Sequence, residues 1–320
     1  MLTDTPLALP AWLDTHPRNW QPGTLDRDGL HTAALALTKH PQFDQARVEF
    51  ITQFLHSFDG HAVMRRLNRS ISLYFLVIFS FYLHQSKKAD VPGSGMTLTA
   101  LQELFAQGAA GTGGKVVFAS PTKVKDMLAH ARLQGLFRSV PHGTDKRIRL
   151  LEPTDMLTNA FADWILGYLR GSAVLLAPPV SLLPHSLSPA LTHTLFSYRV
   201  RAYMQDGFTT TERFGTVRQF MMRDHGYSAF LRLMQTVRLE GGQYIATAPT
   251  SELASYRGIA RATVRNTLAE AQAAGHLQTE RGGNRVVLGK AFYDMAQHWF
   301  AVEMLWMHSL MSIAAVDQTL

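Results

Sequence analysis

Apolar residues recur at helical spacing along most of this chain, and the places where that spacing changes mark its organisation. From about Leu25 to Gln85 the pattern is helical, with Val48, Phe50, Ile51, Phe54 and Leu55 predicted on one face. A second helix, from about Val63 to Gln85, carries the densest apolar run, Ile71 to Leu83. At about 13 residues that run is too short to span a bilayer, so it predicts a helix surrounded by other helices. Leu98, Leu101, Leu104 and Phe105 predict a short helix over Thr97–Gln107. The next helix has Ser120 as N-cap, Pro121 in its first turn, and Val124, Leu128 and Ala131 facing inward, with Gly135 as its stop. The period then changes. Leu136-Phe137 opens a strand, Pro141-His-Gly-Thr-Asp145 is turn chemistry, and Arg147-Ile148-Arg149-Leu150 alternates as a second strand. Met156, Leu157, Ala160, Phe161, Trp164, Ile165, Tyr168 and Leu169 return to helical spacing as far as Gly171.

This succession recurs about 140 residues later. Val264, Leu268, Ala269, Ala271 and Gly275 repeat Val124, Leu128, Ala129, Ala131 and Gly135, and Arg285-Val286-Val287-Leu288 stands for the strand around Arg147-Ile148. Asp294-Met295 and Phe300-Ala301 match Asp155-Met156 and Phe161-Ala162, shifted by one. Such a register implies an internal duplication. The expected organisation is an irregular Pro/Trp-rich arm over 1–25, a first unit over 26–171, a Pro-rich linker over 172–191 and a second unit over 192–320. In the second unit, helices are expected near Thr192–Met204 and Thr209–Leu239, then a short strand at Tyr244 and a helix over Pro249–Tyr256. A tight turn at Arg257-Gly258-Ile259, a helix over Ala260–Ala274, a turn at Arg281–Arg285 and a closing helix from Phe292 to about Ile313 complete it.

Composition sharpens the picture through the location of charge. The formal net charge is +7, yet residues 120–149 hold seven Lys/Arg against two Asp, and residues 257–290 hold six against two Glu. The two repeated motifs therefore carry more than the whole positive excess, as a phosphate-binding surface requires. There is no cysteine, which excludes disulfides and cysteine-ligated zinc. An early acidic residue and no sustained apolar core before Pro10 give no expectation of a signal peptide, and a cytoplasmic protein with no membrane association is expected. The 14 histidines are scattered without metal-ligand spacing, and neither Gly-x-Ser-x-Gly nor His-Glu-x-x-His occurs. Gly111-Thr-Gly-Gly-Lys115 misses the spacing and the Ser/Thr of a phosphate-binding loop. No cofactor and no enzymatic activity are expected.

A helix, a glycine stop and a basic hairpin form the winged-helix pattern, in which the helix enters a DNA groove and the wing grips the backbone. The expected fold class is mainly α with small β-wings (α+β), two winged helix-turn-helix units packed as an intramolecular pseudo-dimer. The first unit, with Gly135-Leu-Phe-Arg138 and a wing carrying Asp145-Lys146-Arg147, resembles MarR-type regulators. That resemblance implies that Arg147 reaches into the minor groove and that Asp145 orients it. The second wing keeps Arg285 but has Asn284 in place of the Asp-x-Arg arrangement.

The residues expected to contact double-stranded DNA are Ser120, Thr122, Lys123, Lys125, Lys146, Arg147 and Arg149 in the first unit. In the second they are Arg257, Arg261, Thr263, Arg265, Asn266, Arg281 and Arg285. Arginine reads guanine and asparagine adenine, whereas lysine more often holds phosphate. Because the two sets differ, unequal half-sites about one helical turn apart are expected. The aromatic helices after each wing (Phe161, Trp164, Tyr168; Trp299, Phe300, Trp306) are expected to pack the units together, with room between them for a small-molecule effector. The expected role is a monomeric transcriptional regulator, in the first place a repressor. A plasmid-type replication initiator and a winged-helix protein-interaction module are the alternatives.

Overall fold

The structure, a computed structural model, describes residues 24–67, 70–88, 91, 94–111, 118–142, 145–176, 187–223, 225–247, 261–280 and 285–317. The chain is mainly helical with two small antiparallel sheets. Its first half runs α1 (Arg27–Leu37), α2 (Phe43–Gly60), α3 (Ala62–Leu67), α4 (Ile71–Gln85), α5 (Leu98–Gly111), α6 (Pro121–Leu133), β1 (Phe137–His142), β2 (Asp145–Pro153) and α7 (Asp155–Ser172). Then come α8 (Pro189–Asp206), α9 (Gly215–Met222), α10 (Gly226–Thr236), β3 (Val237–Glu240) and β4 (Gln243–Ala246). Last are α11 (Arg261–Ala273), β5 (Leu277–Thr279), β6 (Val286–Leu288) and α12 (Lys290–Asp317).

The apolar run of α4 is buried as its composition requires, with Leu76, Val77, Phe79 and Phe81 almost wholly removed from water. It packs chiefly against α8, which the sequence reading assigned to the second unit. Two expectations change in this region. The helix foreseen from Val63 to Gln85 is two helices, and Ser70 caps the second through the backbone N–H of Ser72. Val48, expected on the apolar face of α2, is 36% exposed, because that face runs instead through Ala46, Phe50, Phe54 and Phe58.

Further along, Leu239 is not helical. The β-branched Val237 and the Gly241-Gly242 pair, both at positive φ, turn 237–246 into a tight hairpin with Glu240 opposite Gln243. That is the geometry of a two-residue turn requiring positive φ at both central positions. Leu239 consequently stands 65% exposed on the outer strand.

One set of backbone contacts occurs twice. Ser120 caps α6 by accepting from the Lys123 N–H, worth about 1 kcal/mol of helix stability. At the other end of α6, Gly135 takes φ +73° and Gly275 takes φ +75° after α11. Leu136 N–H donates to the Ala131 carbonyl at 3.0 Å, and His276 N–H donates to Ala271 at 2.9 Å. Thr154 N–H then donates to Leu136 at 3.0 Å, and Gly289 N–H to His276 at 2.9 Å, each just before the next helix. The sheets follow suit. β2 pairs with β1 and, through Leu151, with Met96; β6 pairs with β5 and with β4.

These contacts correct the expected register in the closing helices. They place Gly289 with Thr154, so Trp299 corresponds to Trp164, whereas the sequence match had paired Asp294 with Asp155. The displacement is about one helical turn, which preserves the buried face and so deceives a comparison of apolar positions.

The halves share one hydrophobic core. The N-terminal helices reach across the chain: α1 packs on α12 and α2 on α10. Asp44 of α2 accepts from Tyr293 at 2.8 Å and from Gln297 at 2.6 Å, and Arg47 donates to the Met234 carbonyl. Several expectations lie outside the described residues: the arm over 1–23, the linker prolines 178, 179 and 184, the helix over 249–256 and the turn with Arg257. So do the link over 112–117 and the turn over 281–284 with Arg281.

Candidate nucleic-acid interface and the pocket behind it

On α6 the buried face is Val124, Met127, Leu128 and Ala131, which leaves Thr122, Lys123 and Lys125 exposed together. On α11 the buried face is Val264, Thr267, Leu268 and Ala271; Arg261, Arg265 and Asn266 are exposed and Thr263 is half-buried. Helical periodicity alone makes this division, so each helix presents a polar, cationic stripe opposite its core stripe.

The individual residues are not equally free. Lys123 Nζ donates to Ser72 Oγ of α4 at 3.1 Å, and Ser120 is spent on its cap. Arg149 is tied to its own hairpin, donating from Nε to Ser139 Oγ at 2.8 Å and from Nη2 to the Ser139 carbonyl at 3.0 Å. Lys146 and Arg147 lie in β2, and their side chains are outside the description, as is that of Asp145. Arg285, the counterpart on the second hairpin, faces two carboxylates: Glu280 at 3.2 Å and Glu240 at 3.5 Å. These acids hold it in place and neutralise it, so it offers little net charge to a phosphate. The freer cations of the two stripes are Lys125, Arg261 and Arg265.

Beside Phe118, which leads into α6, lies a pocket of about 130 Å³, walled by aromatic residues from both halves of the chain. Phe54, Tyr74, Phe75, Phe118, Trp164 and Tyr168 meet Tyr203, Phe208, Tyr227 and Trp306 around it. The aromatic helices pack together directly, with the Tyr168 hydroxyl of α7 reaching Glu303 of α12, and Phe50 of α2 bridges them, edge-on to Tyr168 at 4.6 Å and to Phe300 at 6.1 Å.

At the pocket wall is an ion pair between Arg199 Nη2 of α8 and Glu303 Oε1 of α12, at 3.5 Å. Glu303 also accepts from Thr210 Oγ1 and, at 3.4 Å, from the Tyr168 hydroxyl, so its burial is compensated. Burial would lower the pKa of Arg199, but Tyr74 and Glu303 hold it above its ordinary value. Burial pushes the Tyr74 phenol up to about 12, and burial with Glu303 holds Tyr168 and Tyr227 well above the phenol range. Arg199 therefore stays charged and the three phenols stay neutral at neutral pH.

Sequence reasoning missed this cluster. Glu303 was visible as a lone acid inside the apolar stretch Phe300-Ala-Val-Glu-Met-Leu-Trp306, a pattern that implies a buried partner. Among the described residues no three His, Asp or Glu side chains group as metal ligands, and no helix is long and apolar enough to cross a membrane. No protein-family model matches the chain, and neither a curated protein nor a solved structure does.

Proposed function

We propose that this protein is a sequence-specific double-stranded DNA-binding transcriptional regulator, built from two winged-helix units joined as an intramolecular pseudo-dimer. The observation that carries the reading is the twofold helix, left-handed glycine and hairpin, tied each time by the same backbone hydrogen bonds and each presenting a polar, cationic helix face. In this reading α6 and α11 are the recognition helices, and β1–β2 and β5–β6 are the wings. The MarR-type resemblance of the first unit agrees with it. Lys125 holds phosphate, Arg261 and Arg265 supply the guanine-reading chemistry, and Asn266 the adenine-reading chemistry. A promoter occupied in this way is repressed. The second wing, with Arg285 held between acids, contributes less than the first.

The test is recovery of host genomic fragments by the purified protein beside a Lys125→Ala/Arg261→Ala/Arg265→Ala variant. Promoter fragments with two unequal half-sites, lost in the variant, are the expected result. Removing Lys125, the phosphate contact, should also flatten the dependence of log K on log salt by about 0.9 units, whereas losing Arg261 and Arg265 should relax base preference. Clustered repeats from a replication origin would instead indicate a replication initiator. No selective recovery at any salt concentration would overturn DNA recognition and leave a protein-interaction module.

A further inference from the structure

The aromatic pocket is lined by unpaired polar atoms that can all donate, two of which, Arg199 Nη1 and Trp164 Nε1, cannot accept. Arg199 Nη1, the Tyr74 and Tyr203 hydroxyls and Trp164 Nε1 are buried and have no hydrogen-bond partner among the described residues, and all four side chains line the pocket. Glu303, the wall's acid, is already committed to Arg199, Thr210 and Tyr168. A buried donor left unpaired costs free energy, so an occupant bringing an acceptor is favoured over one without it. Its charge follows from the ion pair. Arg199 is already matched by Glu303, so a carboxylate entering the pocket would meet one competing negative charge and bear its own desolvation cost. A neutral acceptor avoids both. Size follows from volume: about 130 Å³ is close to that of an engineered apolar cavity known to take benzene, and so admits one ring with a short substituent.

We infer that this pocket is a binding site for an uncharged, single-ring aromatic molecule bearing a carbonyl acceptor. The ring lies among Tyr74, Phe75, Phe118 and Trp164, and the carbonyl accepts from Arg199 and Tyr74. This assigns a chemical class to the effector of the proposed regulator. It rests on that reading only for the consequence of binding, since occupancy itself is measured with no DNA present.

Acetophenone is the probe, with ethylbenzene as its isostere lacking the acceptor and benzoate as its anionic counterpart. Binding to the full chain is followed by ligand-detected NMR and by the ligand-induced shift in thermal unfolding. Acetophenone is expected to bind about tenfold more tightly than either comparator. Tyr74→Phe removes an unpaired buried hydroxyl, so the empty variant should fold with undiminished thermal stability. Its affinity for acetophenone should fall about fivefold, as for one lost hydrogen bond, with ethylbenzene unchanged. Absence of acetophenone binding up to its solubility limit would overturn the proposal. So would equal binding of ethylbenzene, or an acetophenone affinity indifferent to Tyr74→Phe. Tighter binding of benzoate would overturn the charge argument and, with it, the ligand class.

Discussion

His193 shows how one side chain sets a property of the whole chain. Its ring is 9% exposed, lies against Phe81 with centroids 4.9 Å apart, and has Nε2 3.1 Å from the Thr158 hydroxyl. Burial, helped by the neighbouring His84, pushes its pKa down to about 4. In the unfolded chain the imidazole protonates near 6.5, so between those two values the unfolded state binds the extra proton. Stability from this residue is therefore complete above about pH 6.5 and declines as the pH falls towards 4, by about 3 kcal/mol in all. His193→Gln keeps a polar partner for Thr158 but cannot titrate. In urea unfolding at pH 7 and pH 4.5, the variant should show a stability difference smaller by about 2–3 kcal/mol than the parent. An unchanged difference would show that His193 is protonated at no cost in the folded state. His84 and His298, whose pKa values burial also lowers, add to the same slope.

Elements in this chain are positioned by glycine in two different ways, and a pair of substitutions separates them. Gly135 is needed for its φ of +73°; a Cβ there would meet only the end of the Met156 side chain, at 3.8 Å. Gly171 lies in α7 and is needed for space: a Cβ would stand 2.4 Å from the Phe50 Cα of α2, backbone against backbone. Gly135→Ala should therefore cost about 1–2 kcal/mol, from conformation alone. Gly171→Ala should cost about 3 kcal/mol even after its helix-propensity gain, since α2 and α7 must separate. Thermal unfolding of both variants checks the order, and a milder effect at Gly171 would mean that the helix pair can slide.

The same two sites show what could be read in advance. Gly135 was legible because a left-handed stop follows a helix in sequence, as was the capped helix before it. Gly171 gave no signal, because its partner is 121 positions away and close packing leaves no local trace. The hairpin at 237–246 was half-legible: its glycine pair was plain, but Leu239 continued an apolar spacing that tertiary structure overrode. Of the candidate interface, the polar faces of α6 and α11 followed from periodicity. The restraints on Lys123, Arg149 and Arg285 come from Ser72, Ser139, Glu240 and Glu280, and apart from the close pair with Glu280 they required the folded chain.

At the scale of the molecule, the pocket and the N-terminus of α6 share a wall. The Phe118 ring stacks on Phe75 at 3.8 Å inside the pocket, and two residues later Ser120 begins the capping of α6. Ser72 of α4 ties these parts together, donating to the Phe118 carbonyl and accepting from Lys123 Nζ at 3.1 Å. A ring entering beside Phe75 and Phe118 must press on this junction, whereas a rigid groove contact needs it still. Under the proposed function, occupancy should therefore oppose DNA binding. Coupling between two equilibria is reciprocal: if saturating acetophenone weakens operator affinity about tenfold, saturating operator must weaken acetophenone affinity by the same factor. The factor itself is the test. Fluorescence anisotropy of a labelled operator fragment, with and without acetophenone, measures one side, and calorimetry on the protein–DNA complex measures the other. Ser72→Ala, which releases both Phe118 and Lys123, should bring the factor towards unity, and acetophenone affinity in the free protein, where the ring no longer presses on a held junction, should not fall. An operator affinity indifferent to acetophenone in the parent protein would leave the pocket a binding site without control over α6. Persistence of the full factor in Ser72→Ala would route the coupling through another element, with α8 and Arg199 the next to test.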